Sequence, residues 1–206
     1  MNAGFGSLAE LKRHILAESV RTRTDWDAAL TMIGQGVAAQ FDRHCNRLFQ
    51  RAIACTTSFQ ADQDHYYLPR YPIETITSIE QRDEMTAGFI ALDASQAILQ
   101  RNDETGLIRF GACLGPYTSI VRVTYTGGYW YDQTDNLTDT LPAAATQLPA
   151  EVKMAWLLQV SRVWELKDKL GAGLVTKPEE RSNLGKLDLV PEVAHALWPF
   201  MRFAML

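Results

Sequence analysis

The stretch that decides the fold is YYLPRYPIETITSIEQRD, Tyr66 to Asp83, where the apolar pattern departs from that of the flanking sequence. Beyond the corner at Tyr71 and Pro72, apolar or β-branched side chains mostly alternate with polar ones from Ile73 to Glu80. A period of two residues is typical of a strand with one solvated face. The stretch therefore predicts a strand, a tight bend and a second strand with one solvated face.

Strand-like segments continue on both sides of this stretch. The predicted strands are 51–60, 65–70, 73–81, 88–92, 107–110 and 119–126. Residues 131–148 then contain few apolar residues, three Asp and no basic group, and long loops of this kind are functional or disordered. We expect a β-hairpin-rich excursion over 51–130, followed by a mobile loop over 131–148.

Helical patterns flank the excursion. A capping box at Ser7 and Glu10 predicts a helix over about 7–20, and apolar residues recur at helical spacing over 25–49 and 149–170. A short helix is expected near the chain end. The predicted fold class is α+β, mainly α, in a single domain over 1–206: a helical bundle with an inserted β-hairpin-rich excursion and a C-terminal arm over 171–206.

Two glycines, Gly34 and Gly36, lie inside the second predicted helix. Each costs a helix interior about 1 kcal/mol relative to Ala. Their presence predicts that a neighbouring segment packs closely against the helix at both positions.

Composition excludes several classes of protein. The chain has 206 residues, of which 47% are hydrophobic, enough for a core, and no apolar run approaches the roughly 20 residues that span a bilayer. The N-terminal residues lack the basic start and apolar stretch of a signal peptide. Three cysteines, Cys45, Cys55 and Cys113, do not suggest a disulfide framework. We expect a soluble protein made in a reducing cytosol, without a membrane partner.

Charge is unevenly distributed along the chain. Residues 61–148 carry five Lys or Arg against twelve Asp or Glu, whereas residues 1–60 carry seven against five and residues 149–206 carry eight against seven. An acidic middle segment repels phosphate, so specific nucleic-acid binding is disfavoured.

No motif supports catalysis or a metal site. The four histidines, His14, His44, His65 and His195, lie outside any HExxH pattern, and CxxC, GxSxG, GxGxxG and Walker motifs are absent. Asp62 and Asp64 form a DxD pair in an acidic segment, which is more often a solvated loop than a cation site. We expect no enzyme activity, no metal and no cofactor.

The order of the segments resembles that of a viral protein family. The segments LAELKRHI, HCNRLF, LPRYPIETITSIE, GFIALD, TGLIRF, VRVTYTGGY and LPAEVKMAWLLQV follow one another over about residues 7–170. In this order they resemble the head–tail connector (adaptor, or head-completion) proteins of tailed bacteriophages. The individual segments are generic, and the ordered set carries the resemblance.

The resemblance implies a structural virion protein that lies in the neck after assembly in the host cytoplasm. Its copies would form a dodecameric ring below the portal of the DNA-filled capsid and continue the DNA channel toward the tail. The implied partners are the portal protein, a neck, stopper or tail protein, and other copies of the chain. Genome DNA would pass through without specific binding. Exposed strands would reach neighbouring subunits, because sheet edges pair readily with other chains.

Two groups of residues are candidates for these roles. The acidic candidates for the channel surface are Asp83, Glu84, Asp132, Asp135 and Asp139. Their charge would let DNA slide without sticking, or it would only keep the strands soluble. The candidates for portal binding are Trp198, Phe200, Met201, Phe203 and Leu206. The preceding Val193 to Leu197 would either share that role or complete the helical core.

Two other functions remain open at this stage. A stopper or tail-completion protein belongs to the same neck, although such proteins look shorter and richer in strand. A small enzyme built from scattered residues would need a deep cleft that combines a perturbed carboxylate with His65 or His195.

Overall fold

The computed structural model describes residues 2–83, 88–134, 138–172 and 188–202. The chain divides into two compact units, one mainly helical and one built of strands. The helical unit comprises Met1–Asn46, Tyr131–Thr140 and Leu148–Leu206, and the β unit comprises Arg47–Trp130 and Leu141–Gln147. Glu84, Asp135, Phe203 and Leu206, which the sequence analysis singled out, lie outside the described residues.

The helices follow the predicted segments, with some shorter than expected. They are α1 (Leu8–Ile15), α2 (Asp27–Cys45), α3 (Ala94–Ala97), α4 (Ala150–Ala172) and α5 (Pro191–Leu197), with 3-10 turns at Glu18–Val20 and Trp198–Phe200. Ser7 caps α1 by accepting a 3.2 Å hydrogen bond from the Glu10 N–H. No helix in the described part of the chain combines the length and apolarity needed to cross a membrane.

Local backbone geometry explains why α2 ends earlier than expected. The apolar pattern predicted a helix to 49, but Asn46 adopts a left-handed conformation with φ of 50° and ψ of 44°. Asparagine tolerates this conformation at helix ends. The Leu48 N–H donates instead to the Pro69 carbonyl at 2.8 Å, so the residues after Asn46 belong to the β unit.

The core of the helical unit joins α1, α2, α4 and α5 to the N-terminal segment. Phe5 is 1% exposed and its ring meets those of Phe41, Tyr131 and Trp156 at centroid distances of 5.9, 6.0 and 6.2 Å. The contacts with Phe41 and Tyr131 are edge-on and the one with Trp156 is tilted, and aromatic contacts stabilise a core beyond the area they bury. The N-terminal residues are therefore part of this core.

The two glycines of α2 have different surroundings. A Cβ at Gly34 would lie 2.1 Å from the Ala3 carbonyl oxygen, whereas one at Gly36 would meet no atom within 4 Å. The expected close packing is confirmed at Gly34 and is wrong at Gly36, which lines an open groove.

The β unit contains three sheets. The strands are β1 (Ala52–Gln60), β2 (His65–Tyr67), β3 (Ile73–Arg82), β4 (Ile90–Leu92), β5 (Ile98–Asn102), β6 (Leu107–Phe110), β7 (Ile120–Gly127), β8 (Tyr129–Trp130) and β9 (Thr146–Gln147). A four-stranded antiparallel sheet has the order β1-β7-β3-β4, a three-stranded antiparallel sheet the order β2-β6-β5, and β8 pairs with β9 in parallel.

The opening stretch does not form a hairpin. β2 pairs with β6 whereas β3 pairs with β7 and β4, so the cis Tyr71-Pro72 corner carries the chain from one sheet to the other. Side chains from both sheets share one core, in which Ile79, Ile108, Val123 and Tyr125 are all 0% exposed. The α+β class is confirmed. Helices were expected to predominate, but they do not, because one of the two compact units is built mainly of strands.

Candidate functional site

The C-terminal segment is tied to the helical unit through Arg202. Val193 is 1% and Leu197 0% exposed, so α5 contributes to the core. Gln159 of α4 anchors the entry to α5: its amide donates to the Asp188 carbonyl at 3.2 Å and accepts from the Val190 N–H at 3.1 Å. At the other end, the Arg202 N–H donates to the Cys45 carbonyl at 2.9 Å.

The candidate portal-binding residues lie between these anchors or beyond them. Trp198 follows α5 directly and is 62% exposed, while Phe200 and Met201 are partly buried. Exposed tryptophan side chains near a fixed backbone are typical anchors of protein interfaces. Of the described candidates, Trp198 is therefore the most accessible, and it lies on a segment whose backbone is held at both ends.

The acidic candidates are divided between the two units. Asp83 lies at the end of β3 in the β unit, where its carboxylate accepts from the Gln81 amide at 2.7 Å and from the Ser119 hydroxyl at 3.3 Å. Asp132 and Asp139 belong to the helical unit. The described candidates thus do not form one cluster within either unit.

Asp132 organises the loop that follows the β unit. It accepts hydrogen bonds from the Thr134 N–H at 2.7 Å, the Thr134 hydroxyl at 2.6 Å and the Asp139 N–H at 3.1 Å. Desolvation raises the pKa of Asp132, but the hydrogen bonds from Thr134 and Asp139, together with the charge of Lys153, outweigh it and lower the pKa. This carboxylate is accordingly ionised at neutral pH and is hydrogen-bonded to both Thr134 and Asp139.

Arginines neutralise part of the acidity of the middle segment. Four carboxylates have arginine partners within 4 Å, in the pairs Arg51–Glu74, Arg122–Glu80, Arg101–Asp103 and Arg109–Asp64. The Arg51–Glu74 pair is bidentate, at 2.6 and 2.8 Å, and the Glu74 side chain is only 4% exposed. Glu74 belongs to the alternating stretch from Ile73 to Glu80, and its charge is neutralised inside the β unit.

The structure offers little support for a catalytic or metal site in its described part. No group of three or more His, Cys, Asp and Glu side chains there could hold a metal ion. His65 bonds the Asp64 carboxylate at 2.8 Å, and this bond, with the charge of Arg109, lowers the pKa of Asp64. Both side chains are well exposed, and His195 is exposed too, so neither histidine lies in a deep cleft.

Sequence reasoning missed the exposed apolar residues of the helices. A groove of about 480 Å³ lies between α2 and α4, lined by Met32, Gly36 and Val163 among others. Met154 and Leu158, one turn apart on α4, are 60% and 48% exposed. The breadth of the apolar pattern on α4 could have indicated these exposed residues. A helix that is apolar on several faces buries only some of those faces in the core of its own chain.

No protein-family model matches the chain, and no curated protein matches it. Its fold nevertheless occurs in known particles. The virion of the native gene transfer agent (GTA) particle contains a chain that matches with a TM-score of 0.61. The neck of the empty GTA particle, computed with C6 symmetry, gives 0.59, and the neck of the native GTA particle, computed with C12 symmetry, gives 0.56.

These matches extend over nearly the full length of the chains. Each has 15% sequence identity and covers 97% of this chain and 90% of the matched chain. At this identity the likeness is one of fold. The fold of this chain therefore has counterparts among the chains of GTA particles.

Proposed function

We propose that this protein is a head–tail connector, or adaptor, whose copies form a ring between the portal of a DNA-filled capsid and the tail or neck. The observation that carries the proposal is the length-wide fold likeness to chains in GTA necks, one of them computed with C12 symmetry. The ring is a dodecamer in the virion, and it continues the DNA channel. The role is structural and requires no catalysis.

Attachment to the portal falls to the C-terminal segment. Trp198, with Phe200 and Met201 beside it, provides an apolar surface on a backbone that Arg202 ties to α2. The sequence adds two further apolar side chains, Phe203 and Leu206. A surface of this composition fits a hydrophobic cleft in the portal, because buried aromatic anchors dominate the energy of such interfaces.

The channel surface is acidic in this proposal and releases DNA readily. The candidates are Asp83, Glu84, Asp132, Asp135 and Asp139. Of the three that the structure describes, Asp83, Asp132 and Asp139, none has an arginine partner within 4 Å among the described residues. Proteins that bind phosphates lose roughly 10³–10⁵ in affinity between 50 and 200 mM salt. We expect the isolated protein to bind duplex DNA poorly and with little dependence on salt.

Another neck component, such as a stopper or a tail-completion protein, is the second candidate. The fold likeness to neck structures supports it as well, since a neck holds more than one kind of ring. Binding to the portal separates the two functions, because the proposed adaptor contacts the portal directly.

Mass measurement of the protein with and without its portal tests the proposal. We expect a free protein that is monomeric or weakly associated, and a complex with about twelve added copies when the portal is present. Protein that remains monomeric at high concentration in both conditions would contradict the proposed function.

A further inference from the structure

Strand β1 forms one edge of the four-stranded sheet, and β4 forms the other. The register around β1 identifies which of its backbone groups point away from the sheet. Just beyond the strand, the Ala61 N–H donates to the Ser119 carbonyl at 3.0 Å. Ala61 and Ser119 lie two residues beyond the paired Phe59 and Val121, so they continue the same register. In an antiparallel pair, every second residue bonds to the partner strand. Cys55, Thr57 and Phe59 therefore face β7.

The outward groups of β1 consequently belong to Thr56, Ser58 and Gln60. All three residues are exposed. The Gln60 carbonyl accepts the Tyr66 hydroxyl at 2.6 Å. In the described part of the chain, the N–H and C=O groups of Thr56 and Ser58 and the N–H of Gln60 have no protein partner.

This edge lacks the usual protection against pairing with other chains. Natural edge strands carry lysine, proline or bulges that block further pairing. The sequence of β1, AIACTTSFQ, contains no charged residue and no proline. Its irregularity is confined to the start, between Ala52 and Cys55, where Ala54 has a φ of 50°. The regular part from Cys55 to Gln60 is left open.

The opposite edge of the same sheet is the three-residue strand β4, which has no second partner strand among the described residues. Along each strand, successive residues direct their backbone hydrogen bonds alternately to one neighbouring strand and to the other. Following this alternation from Ala61 through β7 and β3, the backbone groups of Ile79 and Gln81 bond to Leu92 and Ile90 of β4. Ala91 therefore directs its backbone away from the sheet. It is exposed, and no charged residue or proline lies within β4.

The two edges match in direction. All three neighbouring strand pairs in the order β1-β7-β3-β4 are antiparallel, so β1 and β4 run in opposite directions. A second copy placed in the same orientation would set its β1 antiparallel to β4 of the first. Ser58 and Ala91 lie on one row across the sheet, through Arg122 and Glu80.

We propose that β4 of one copy pairs with β1 of the next, so that the four-stranded sheet continues from subunit to subunit. The inference rests on the proposed ring. A contact between two different edges repeats in one direction and closes into a ring when the rotation between subunits allows it, unlike a contact of an edge with itself. The fold likeness to a neck computed with C12 symmetry favours another copy of this chain as the partner of the edge.

Two substitutions at one position separate the backbone from the side chain. Ser58→Pro removes an outward N–H without removing a bond to β7, and proline is tolerated at such edge positions. Ser58→Ala keeps the N–H. We expect Ser58→Pro to leave the thermal transition of the free protein unchanged and to reduce ring formation on the portal at least tenfold, while Ser58→Ala assembles like the wild type.

Disulfide trapping tests the pairing independently of the proline variant. Protein with Ser58→Cys is mixed with protein carrying Ala91→Cys on the portal, both with Cys113→Ser because Cys113 is exposed. We expect a crosslinked pair in the mixture and none with either variant alone. Crosslinking of Ser58→Cys to itself, or none in the mixture, overturns the inference.

The outcomes also separate this inference from the proposed function. Rings of wild-type protein together with normal rings of Ser58→Pro contradict the edge pairing alone. Wild-type protein that leaves the portal bare contradicts the connector function, and the edge pairing with it.

Discussion

The indole Nε1 of Trp156 donates a hydrogen bond of 2.9 Å to the carbonyl oxygen of Gly34, across 122 residues of sequence. The bond joins α4 to α2 at a point where the N-terminal segment also packs. The backbone of Ala3 lies so close to Gly34 that a Cβ there would be 2.1 Å from the Ala3 carbonyl oxygen. Three segments distant in sequence thus meet at one glycine, and this contact fixes the geometry of the helical unit.

The contrast between Gly34 and Gly36 gives a matched pair of substitutions. We expect Gly34→Ala to lower the free energy of unfolding by about 3 kcal/mol, since the new methyl group overpacks against backbone. Gly36→Ala should raise it by about 0.5–1 kcal/mol, because alanine favours the helix and the space there is open. Urea unfolding of the two variants measures both changes. Changes of the same sign would contradict this description of the core.

The buried ion pair of the β unit predicts a strongly non-additive double mutant. Arg51→Met should cost about 3–5 kcal/mol, because it leaves the Glu74 carboxylate buried without a partner. The double variant Arg51→Met with Glu74→Leu should recover most of that loss. Arg109→Met, at an exposed pair with Asp64, serves as the control and should cost less than about 1 kcal/mol. Denaturant unfolding of the three variants provides the test, and a double variant no more stable than Arg51→Met would show that the pair is not internal.

Asp132 predicts a pH dependence in the acidic range. Its pKa is lower in the folded protein than the value of about 3.9 in an unfolded chain. Its contribution to stability is therefore present above pH 4 and is lost as the pH falls through the folded pKa. Thr134→Val removes the hydroxyl donor and should move the carboxyl titration of Asp132, followed by NMR, toward its ordinary pKa. Thr140→Val is the control, and an equal shift in both variants would contradict the assignment.

Trp198 allows portal attachment to be separated from folding. Trp198→Ala should weaken binding to the portal about 30-fold, the effect of losing one interface anchor of about 2 kcal/mol. The thermal transition should hardly change, because the side chain is 62% exposed. Met154→Ala, which truncates a side chain that is 60% exposed on α4, is the control and should bind normally. A large loss of thermal stability in Trp198→Ala would assign this residue to the core.

Sequence patterns predicted the elements of this fold better than their connections. The period change near residue 51 located both units, because amphipathic helices and half-buried strands have different periods. The pattern could not show that β2 and β3 join different sheets, since strand pairing depends on contacts distant in sequence. It also could not show that Glu74 is internal, because the distant Arg51 that neutralises it is not visible in a local pattern.

The candidate site was predictable only in part. The apolar chain end was evident from its composition, but the division between buried Leu197 and exposed Trp198 depends on how α5 packs against α4. The open edges at Ser58 and Ala91 could not be identified from sequence, because an edge is defined by the order of strands in the sheet. Local periodicity contains no information on that order.

Direct imaging of the portal mixed with this protein tests the central claim most directly. The connector function predicts a ring of about twelve copies seated on one face of the portal, coaxial with its channel and absent when the portal is omitted. A portal that remains bare at saturating protein concentration, while the protein binds another neck or tail component instead, would contradict it.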